Sequence, residues 1–406
     1  MRIHDTAIRA SLLLAFGLAA FAMPADPEGV QAAERTVKIG GFGALSGPLR
    51  SFGVNTQAVM KAAVDDINTS GGVKLGDGSM AKIELTFDDS ACNAEQAISV
   101  VRRLASSDTV VGVGPTCSGG AKALFGTLQK KVGDSSDSGL QFPIFTNTAI
   151  KKGLAKISDW SFRNVPNEDE MYQVLFGWIK SSDPSLKTVF GGVETNQAHS
   201  NATWGKIMKV RAEQAGYAVA GQTEWLMTDT SFSTQVREMR KANANIVAIS
   251  SHPFTTCGVL KEMARQRVRP KVLVGLTSSS SMETLKGCAK QAEGIVIPTS
   301  FAPVNDAAQK VASAADRFGG SADLHSAAAW EIIHVLKTVM ESEGIMAKPE
   351  TVQEDRIKIR NGLAKVTETQ GLLGKITRTP EGEALKPYLF VQAKGGDWSV
   401  VHNPGN

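Results

Sequence analysis

The sequence predicts a two-lobed α/β protein in which each lobe is built on a parallel sheet covered by helices. Three observations predict this class: short apolar strands alternate with amphipathic helical stretches, the alternation occurs in two successive runs, and polar loops rich in glycine and serine follow several strands. Alternation of this kind produces βαβ units and therefore parallel sheets. Two such runs in 406 residues imply two lobes with a cleft between them.

The first run begins at residue 36. Its predicted strands are 36–40, 83–87, 109–113 and 142–145. Apolar residues at helical spacing predict a helix after each of the first three strands. We expect Asn93 to cap the second of these helices, because an asparagine side chain accepts a hydrogen bond from a first-turn amide.

The second run follows residue 166 and alternates five strands with four helices. The predicted strands are 189–193, 217–222, 246–250, 272–275 and 295–298. Two helices within 303–343, a helix near 355–366 and β segments at 388–393 and 398–401 complete the chain. Ligands of open α/β sheets bind outside the carboxyl ends of the strands, so the loops that leave the strands are the expected site.

The N-terminus has the pattern of an export signal. Arg2 and Arg9 precede an apolar run, 12–22, that is too short to span a bilayer. Small residues at 20–22 and at 30–32 could admit a signal peptidase. We therefore expect residues 1–33 to be a signal peptide and the mature protein to lie in the periplasm.

Export makes the four cysteines disulfide candidates. Cys92 and Cys117 lie on consecutive strand-exit loops, and Cys257 and Cys288 form a second local set. Pairing within each set is the expectation, while four free thiols or the other pairings remain alternatives.

Composition and motifs argue against several function classes. The formal charge is +4 without a Lys/Arg block, so we expect no nucleic-acid partner. The motifs GxSxG, HExxH and GxxxxGK[ST] are absent from the sequence. Gly41 and Gly43 begin a dinucleotide fingerprint, but Ser46 replaces its third glycine. No Cys/His cluster has metal-ligand spacing, and we expect no metal, no cofactor and no catalysis.

Candidate binding residues lie on the strand-exit loops. The loop 114–120 opens directly into a helix, so free backbone amides and the Ser118 hydroxyl could seat an anionic oxygen; an ordinary serine cap explains the same residue. The loop 46–53 offers Phe52 as an aromatic wall and Arg50 as a cation. Of the six histidines, only His199 and His252 lie on strand-exit loops of the second run.

Taken together, these motifs resemble the periplasmic solute-binding proteins related to the branched-chain amino acid-binding protein, which have the type I periplasmic binding fold. The resemblance covers nearly all of the mature chain. The segments that carry it are VKIGGFGALSGPLRSFG (37–53), AAVDDINTSGGV (62–73), DDSACNAEQAISVVRRL (88–104), GVGPTCSGGAKAL (112–124), FPIFTNTAI (142–150), FRNVPNEDE (162–170) and GLLGKITRTPEG (371–382).

The resemblance implies a fold and a set of binding residues. It implies two Rossmann-like lobes joined by three crossover strands, with residues 34–165 and 299–370 in one lobe and 166–298 and 371–406 in the other. It also implies the Cys92–Cys117 disulfide. By this resemblance, together with the loop analysis, the expected ligand-binding residues are Arg50, Phe52, Ser118, Gly119, Thr148, Ala149, Trp204, His252 and Thr277.

One position departs from the amino acid binders of this family. The carboxylate that binds the ligand's ammonium group aligns near Thr277. A desolvated ammonium without a carboxylate partner is costly. The ligand is therefore expected to be an amide, a carboxylate without an amine or another small polar metabolite, unless another acid such as Glu194 takes that place.

The implied function is capture of a small molecule for an ABC importer. The ligand would bridge the lobes, favour their closure and be delivered to a permease in the inner membrane by a monomeric binding protein. The alternatives are a ligand sensor of the same fold that feeds a receptor or regulator, and a dehydrogenase-like enzyme.

Overall fold

The computed structural model of the protein describes residues 35–380 and 382–405. The expected signal peptide, residues 1–33, lies outside these residues. Among the helices of the described ranges, none combines the length and apolar character that crossing a membrane requires.

The first part of the chain forms a six-stranded sheet. Its elements are β1 (Arg35–Gly43), α1 (Arg50–Thr69), β2 (Val73–Lys74), β3 (Met80–Asp89), α2 (Ala94–Ala105), β4 (Val111–Val113), α3 (Ser118–Phe125), β5 (Ile144–Thr146) and β6 (Ser161–Arg163). The strand order is β2-β3-β1-β4-β5-β6. All neighbouring strands are parallel except β2 and β3.

The middle part supplies most of a second sheet. Its elements are α4 (Glu168–Ser182), β7 (Thr188–Glu194), α5 (Ala198–Thr203), α6 (Lys209–Gln214), β8 (Ala218–Trp225), α7 (Ser233–Ala242), β9 (Ile246–Ser250), α8 (Pro253–Gln266), β10 (Val272–Gly275), α9 (Met282–Ala292) and β11 (Val296–Thr299). A π-helical turn, Trp204–Met208, joins α5 to α6.

The last part returns to both sheets. Its elements are α10 (Asp306–Arg317), α11 (Leu324–Glu343), α12 (Val352–Lys365), β12 (Glu368–Gly371), β13 (Gly374–Arg378), β14 (Ala384–Leu385), β15 (Leu389–Lys394) and β16 (Asp397–His402). The second sheet has the order β16-β15-β11-β10-β9-β7-β8, and β12, β13 and β14 form a small antiparallel sheet of their own.

Each large sheet has a hydrophobic core on both faces. In β9, Ile246 and Ala248 pack into the core that contains α4, whereas Val247 and Ile249 pack into the core of α7, α8 and α9. Successive side chains of a strand point to opposite faces, so an uninterrupted apolar strand indicates burial on both sides. The helices α10 and α11 pack on the first sheet, with α1. The α/β class predicted from the sequence is therefore confirmed.

We call the first sheet with its helices the first lobe (35–163 and 306–365) and the second sheet with its helices the second lobe (168–299 and 389–402). The long predicted strands occur within three residues of their expected bounds, an ordinary margin for sequence patterns. The unpredicted strands are β2, β6 and β12 to β14, which have two to five residues each. Asn93 caps α2 as predicted, accepting from the Gln96 amide at 3.0 Å.

The two expected disulfides are present. Cys92 is bonded to Cys117 with 5.3 Å between their Cα atoms, and Cys257 is bonded to Cys288 with 5.4 Å. The first bond joins the loop after β3 to the residue that precedes α3. The second joins α8 to α9 within the second lobe.

The chain crosses between the lobes three times, between β6 and α4, between β11 and α10, and between α12 and β15. A buried carboxylate, Glu331 of α11, lies at these crossings. It accepts hydrogen bonds from the Asn164 side chain at 2.8 Å, from Lys386 Nζ at 2.5 Å and from the Leu372 amide at 3.0 Å. Since these partners lie on the first and third crossings, one buried charge organises both segments.

A glycine in β7 allows the π-helical turn to approach the second sheet closely. A Cβ atom built on Gly191 would lie 2.2 Å from the ring of Trp204, so only glycine fits beneath that ring. The Trp204 indole is buried there and donates to the Gln222 side chain at 2.7 Å.

We predict that Gly191→Ala lowers the free energy of unfolding by about 1–3 kcal/mol, because the ring must shift to admit a methyl group. The matched control is Gly205→Ala in the same turn, where an added Cβ meets nothing within 4 Å. Alanine favours helix over glycine, so the control should be neutral or stabilising. Denaturant unfolding measures both variants, and equal effects would contradict the packing argument.

Candidate functional site

The lobes face each other across a cavity at the carboxyl ends of strands from both sheets. The cavity holds about 330 Å³ of empty volume, including the space at its mouth. Segments that follow β1, β4, β5, β7, β9 and β10 contribute to it, together with the start of α11. We call it the interlobe cavity, and its lining residues are Leu49, Phe52, Thr116, Cys117, Ser118, Thr148, Gln197, Ala198, His199, His252, Ser278 and His325.

The first-lobe wall presents hydrogen-bond donors from the start of α3. The residue before the helix, Cys117, makes no capping bond with its side chain, so within the described part of the chain the first-turn amides have no side-chain cap. The Ser118 hydroxyl accepts from the Lys151 amide at 3.2 Å and keeps its proton for another partner. The Thr148 hydroxyl is buried and has no hydrogen-bond partner in the described residues. These groups can donate to a ligand oxygen.

A carboxylate beneath the second-lobe wall holds His252. Glu194, at the end of β7, is fully buried and accepts from His252 Nδ1 at 2.5 Å and from Thr255 Oγ1 at 2.6 Å. Burial alone would raise the pKa of Glu194, but the charge of His252 and the hydrogen bonds from His252 and Thr255 outweigh burial and lower that pKa. The carboxylate therefore stays ionised and orients the imidazole.

A second pair of the same kind holds His199. Glu168, at the start of α4, accepts from His199 Nε2 at 2.9 Å, from Thr203 Oγ1 at 2.8 Å and from the Thr277 hydroxyl. Burial opposes ionisation here too, yet the charge of His199 and these three hydrogen bonds lower the pKa of Glu168.

A third histidine enters the cavity from the first lobe. His325, in the first turn of α11, shares a 2.9 Å hydrogen bond between its Nε2 and the Ser278 hydroxyl of the second lobe. Its Nδ1 is buried and has no partner in the described residues. Burial is the main reason that the pKa of His325 falls to about 4, so this ring is neutral at pH 7.

An aromatic side chain packs between the histidines of the two lobes. The Phe52 ring meets His325 edge to face at 5.3 Å and His252 at 6.3 Å between centroids. The cavity thus combines an apolar wall with converging donors, the composition expected of a small-molecule site. No metal-binding group of three or more His, Cys, Asp or Glu side chains is found in 35–380 and 382–405.

The structure places four of the expected binding residues together. Ser118, Thr148, Phe52 and His252 all line the interlobe cavity. Contact of these residues with a ligand stays a prediction. Ser118 is the first residue of α3 and its hydroxyl bonds the Lys151 amide, so the ordinary cap does not account for it.

Two expected residues lie beside the lining. Gly119 is exposed in the first turn of α3. Ala149 is fully buried; its amide donates to Thr146 Oγ1 at 3.1 Å, and its carbonyl accepts from Arg163 Nε at 3.4 Å. The polar groups of the Ala149 backbone therefore already have partners.

Three further expected residues lie outside the cavity lining. Arg50 begins α1 with an exposed side chain outside the lining, while its neighbours Leu49 and Phe52 are buried against the cavity. Trp204 is buried in the second-lobe core, because Gly191 leaves room for its ring there. Thr277 is also buried and donates to Glu168, so it supports the His199 pair instead of facing the ligand.

Sequence reasoning did not identify His325, Ser278 or Glu168 as parts of the site. A histidine near the start of the mostly apolar stretch 324–333 is an unusual polar residue on a core helix and is the available signal for His325. Ser278 and Glu168 carry no comparable signal, because serine-rich turns and acidic helix starts are common.

The low pKa of His325 predicts a pH-dependent loss of stability. The unfolded chain binds a proton here near pH 6.5, and the folded chain only near pH 4, so the stabilisation is complete above pH 6.5 and is lost as the pH falls towards 4. Between pH 6.5 and 4.5, His325 should make the free energy of unfolding fall by up to about 1.4 kcal/mol for each unit that the pH falls. We expect His325→Gln to remove this contribution. Denaturant unfolding at stepped pH tests this, and unchanged slopes would contradict it.

Solved structures share this architecture. The substrate-binding protein of the branched-chain amino acid transporter of Streptococcus pneumoniae, in complex with isoleucine, superposes with a TM-score of 0.75 at 19% identity, covering 91% of this chain and 100% of that one. A solute-binding protein of an ABC transporter from R. palustris, in complex with benzoate, superposes with a TM-score of 0.74 at 14% identity, covering 91% and 96%. At these identities the likeness concerns the fold.

Curated relatives and a family model agree with the fold. The Leu/Ile/Val-binding protein homolog 7 of Brucella suis biovar 1 is 24% identical over 280 residues, a match that covers 67% of this chain and 65% of that relative's length. The family model described as "Periplasmic binding protein" matches residues 36–397, which is most of the chain. The resemblance seen in the sequence motifs is thereby confirmed, and the chain belongs to the periplasmic binding protein family.

Proposed function

We propose that this protein is the periplasmic substrate-binding component of an ABC importer, that it captures a small polar ligand in the interlobe cavity and that it catalyses no reaction. The observation that carries the proposal is the cavity itself, where unpartnered polar atoms of one lobe face histidines of the other. Thr148 Oγ1 and His325 Nδ1 are buried without partners in the described residues, and such groups are costly unless a ligand satisfies them.

Closure of the lobes is the proposed mechanism. A ligand that bonds Ser118 and Thr148 on one side and His252 on the other gains both sets of contacts only when the lobes are together. It therefore favours the closed form by its higher affinity for that form. The crossings near Glu331 would act as the hinge, and a permease would recognise the closed form.

Support for a transport role comes from the relatives as well. The Streptococcus pneumoniae neighbour is described as a transporter protein bound to isoleucine, and the R. palustris neighbour as an ABC transporter protein bound to benzoate. The two neighbours hold chemically different ligands in the same fold, so the side chains of this chain's own cavity must select its ligand.

We predict that Ser118→Ala and Thr148→Val each weaken binding by about 1–3 kcal/mol, because a ligand oxygen loses its donor in a desolvated site. The probe is the compound that gives the largest thermal shift in a screen of amino acids, amides and carboxylates. Titration calorimetry measures the affinity. Ser182→Ala is the control, because that exposed hydroxyl bonds only the Trp178 carbonyl on α4.

Small-angle scattering tests closure with the same compound. We expect the radius of gyration to fall when the ligand is added to wild-type protein. Binding without any compaction would contradict hinge closure, and full affinity in both cavity variants would remove the cavity from the proposal.

A further inference from the structure

We propose that the ligand is a small organic carboxylate without an ammonium group, recognised by imidazoles that are paired with buried glutamates. This inference rests on the function proposed above and specifies its ligand class. It is argued from the partners of the two glutamates, from the direction of the hydrogen bonds around the histidines and from the unpartnered atoms of the cavity.

Among the described residues, no carboxylate lines the interlobe cavity to bind an ammonium group. The lining residues include neither aspartate nor glutamate. Glu194, the acid that could have replaced the missing one near Thr277, lies beneath His252, and both of its oxygens are bonded by His252 and Thr255. A buried ammonium without a carboxylate partner is strongly disfavoured, and so is an α-amino acid.

The surroundings of Glu194 favour an ion pair with His252. Glu194 is fully buried, and within the described residues His252 is the only basic side chain that bonds it. A protonated imidazole on this ionised carboxylate makes a pair without net charge, whereas a neutral ring would leave a buried negative charge uncompensated. His252 uses Nδ1 for Glu194, so Nε2 is left as a donor, and no hydrogen bond to it is found in the described ranges.

Hydrogen bonds that run from His199 through Ser278 determine which nitrogen of His325 carries the proton. His199 Nε2 donates to Glu168, and its Nδ1 lies 3.3 Å from the Ser278 hydroxyl. With His199 protonated, Ser278 accepts from His199 and donates to His325 Nε2 at 2.9 Å. His325, being neutral, then carries its proton on Nδ1, the buried atom that lacks a partner.

Donors therefore surround the ligand position from both lobes. The first-turn amides of α3, the unpartnered Thr148 hydroxyl and the His325 ring belong to the first lobe, and the imidazoles of His199 and His252 belong to the second. The rings of His199 and His252 lie 5.5 Å apart, so both can lie beside one small ligand. A carboxylate satisfies these donors.

A neutral His252 would give the opposite selectivity. Its Nε2 would then accept a hydrogen bond and would favour an amide or another donor over a carboxylate. The preference between matched ligands thus reports directly on the charge of the cavity.

The experiment measures affinity by titration calorimetry at pH 7 with matched ligand sets. The probes are 4-methylpentanoate, 4-hydroxybenzoate and succinate, each compared with its primary amide, and 4-methylpentanoate also with leucine. We expect the scaffold that binds to prefer the carboxylate by about tenfold or more, the difference that a charged hydrogen bond makes. Tighter binding of leucine or of an amide would overturn the carboxylate proposal and leave the importer function intact.

If no probe binds, mass spectrometry of the small molecules released from denatured wild-type protein tests the carboxylate proposal. A released carboxylate without an amine supports the proposal, and a released amine or neutral compound overturns it. Absence of any released compound, together with no thermal shift from any compound of the screen, would overturn the importer function itself.

Variants of the pair formed by His252 and Glu194 distinguish recognition of the ligand's charge from recognition of its shape. We expect His252→Gln and Glu194→Gln to weaken the carboxylate by about tenfold or more but the matched amide by less than about threefold. His334→Gln, outside the cavity lining, is the control and should change neither affinity. Equal losses for both ligands, with unfolding midpoints unchanged, would contradict recognition by charge.

Discussion

Two carboxylates that water barely reaches, Glu168 and Glu194, set the chemistry of the second-lobe wall. A buried carboxylate is tolerated only when cations and donors surround it, and here each one takes an imidazole and at least one threonine hydroxyl. The partners come from different elements, so the loops after β7, β9 and β10 must lie where these bonds can form. Each glutamate bonds one edge of its histidine ring, and the other edge of the ring is directed towards the cavity.

The architecture could be predicted from the sequence because long buried strands and amphipathic helices each produce a recognisable pattern of apolar residues. Strand β9 is apolar at four successive positions before its final serine, and its bounds, 246–250, match the expectation. Short strands leave no such pattern: β2 and β14 have two residues each and exist because a neighbouring strand offers hydrogen bonds. Tertiary pairing, not local propensity, decided those segments.

Only part of the candidate site could be predicted from the sequence. Ser118, Thr148 and His252 follow strands directly, so topology alone brings them to one edge. His325 and Ser278 are 47 residues apart and belong to different lobes, and no local rule predicts that they meet. Trp204 differs from its expected place: the resemblance assigns it to the ligand, whereas its ring is buried in the second-lobe core, where Gly191 makes room for it.

The bond between Cys92 and Cys117 has a consequence for recognition. Cys117 both lines the cavity and precedes α3, so a covalent link holds the amide donors of that helix in place before any ligand arrives. A preorganised receptor loses little conformational freedom on binding, which favours tight capture of a very small molecule. Because this disulfide needs an oxidising compartment to form, tight binding needs such a compartment as well. In a reducing cytosol the hydrophobic cores would still form, but the ligand would bind with lower affinity.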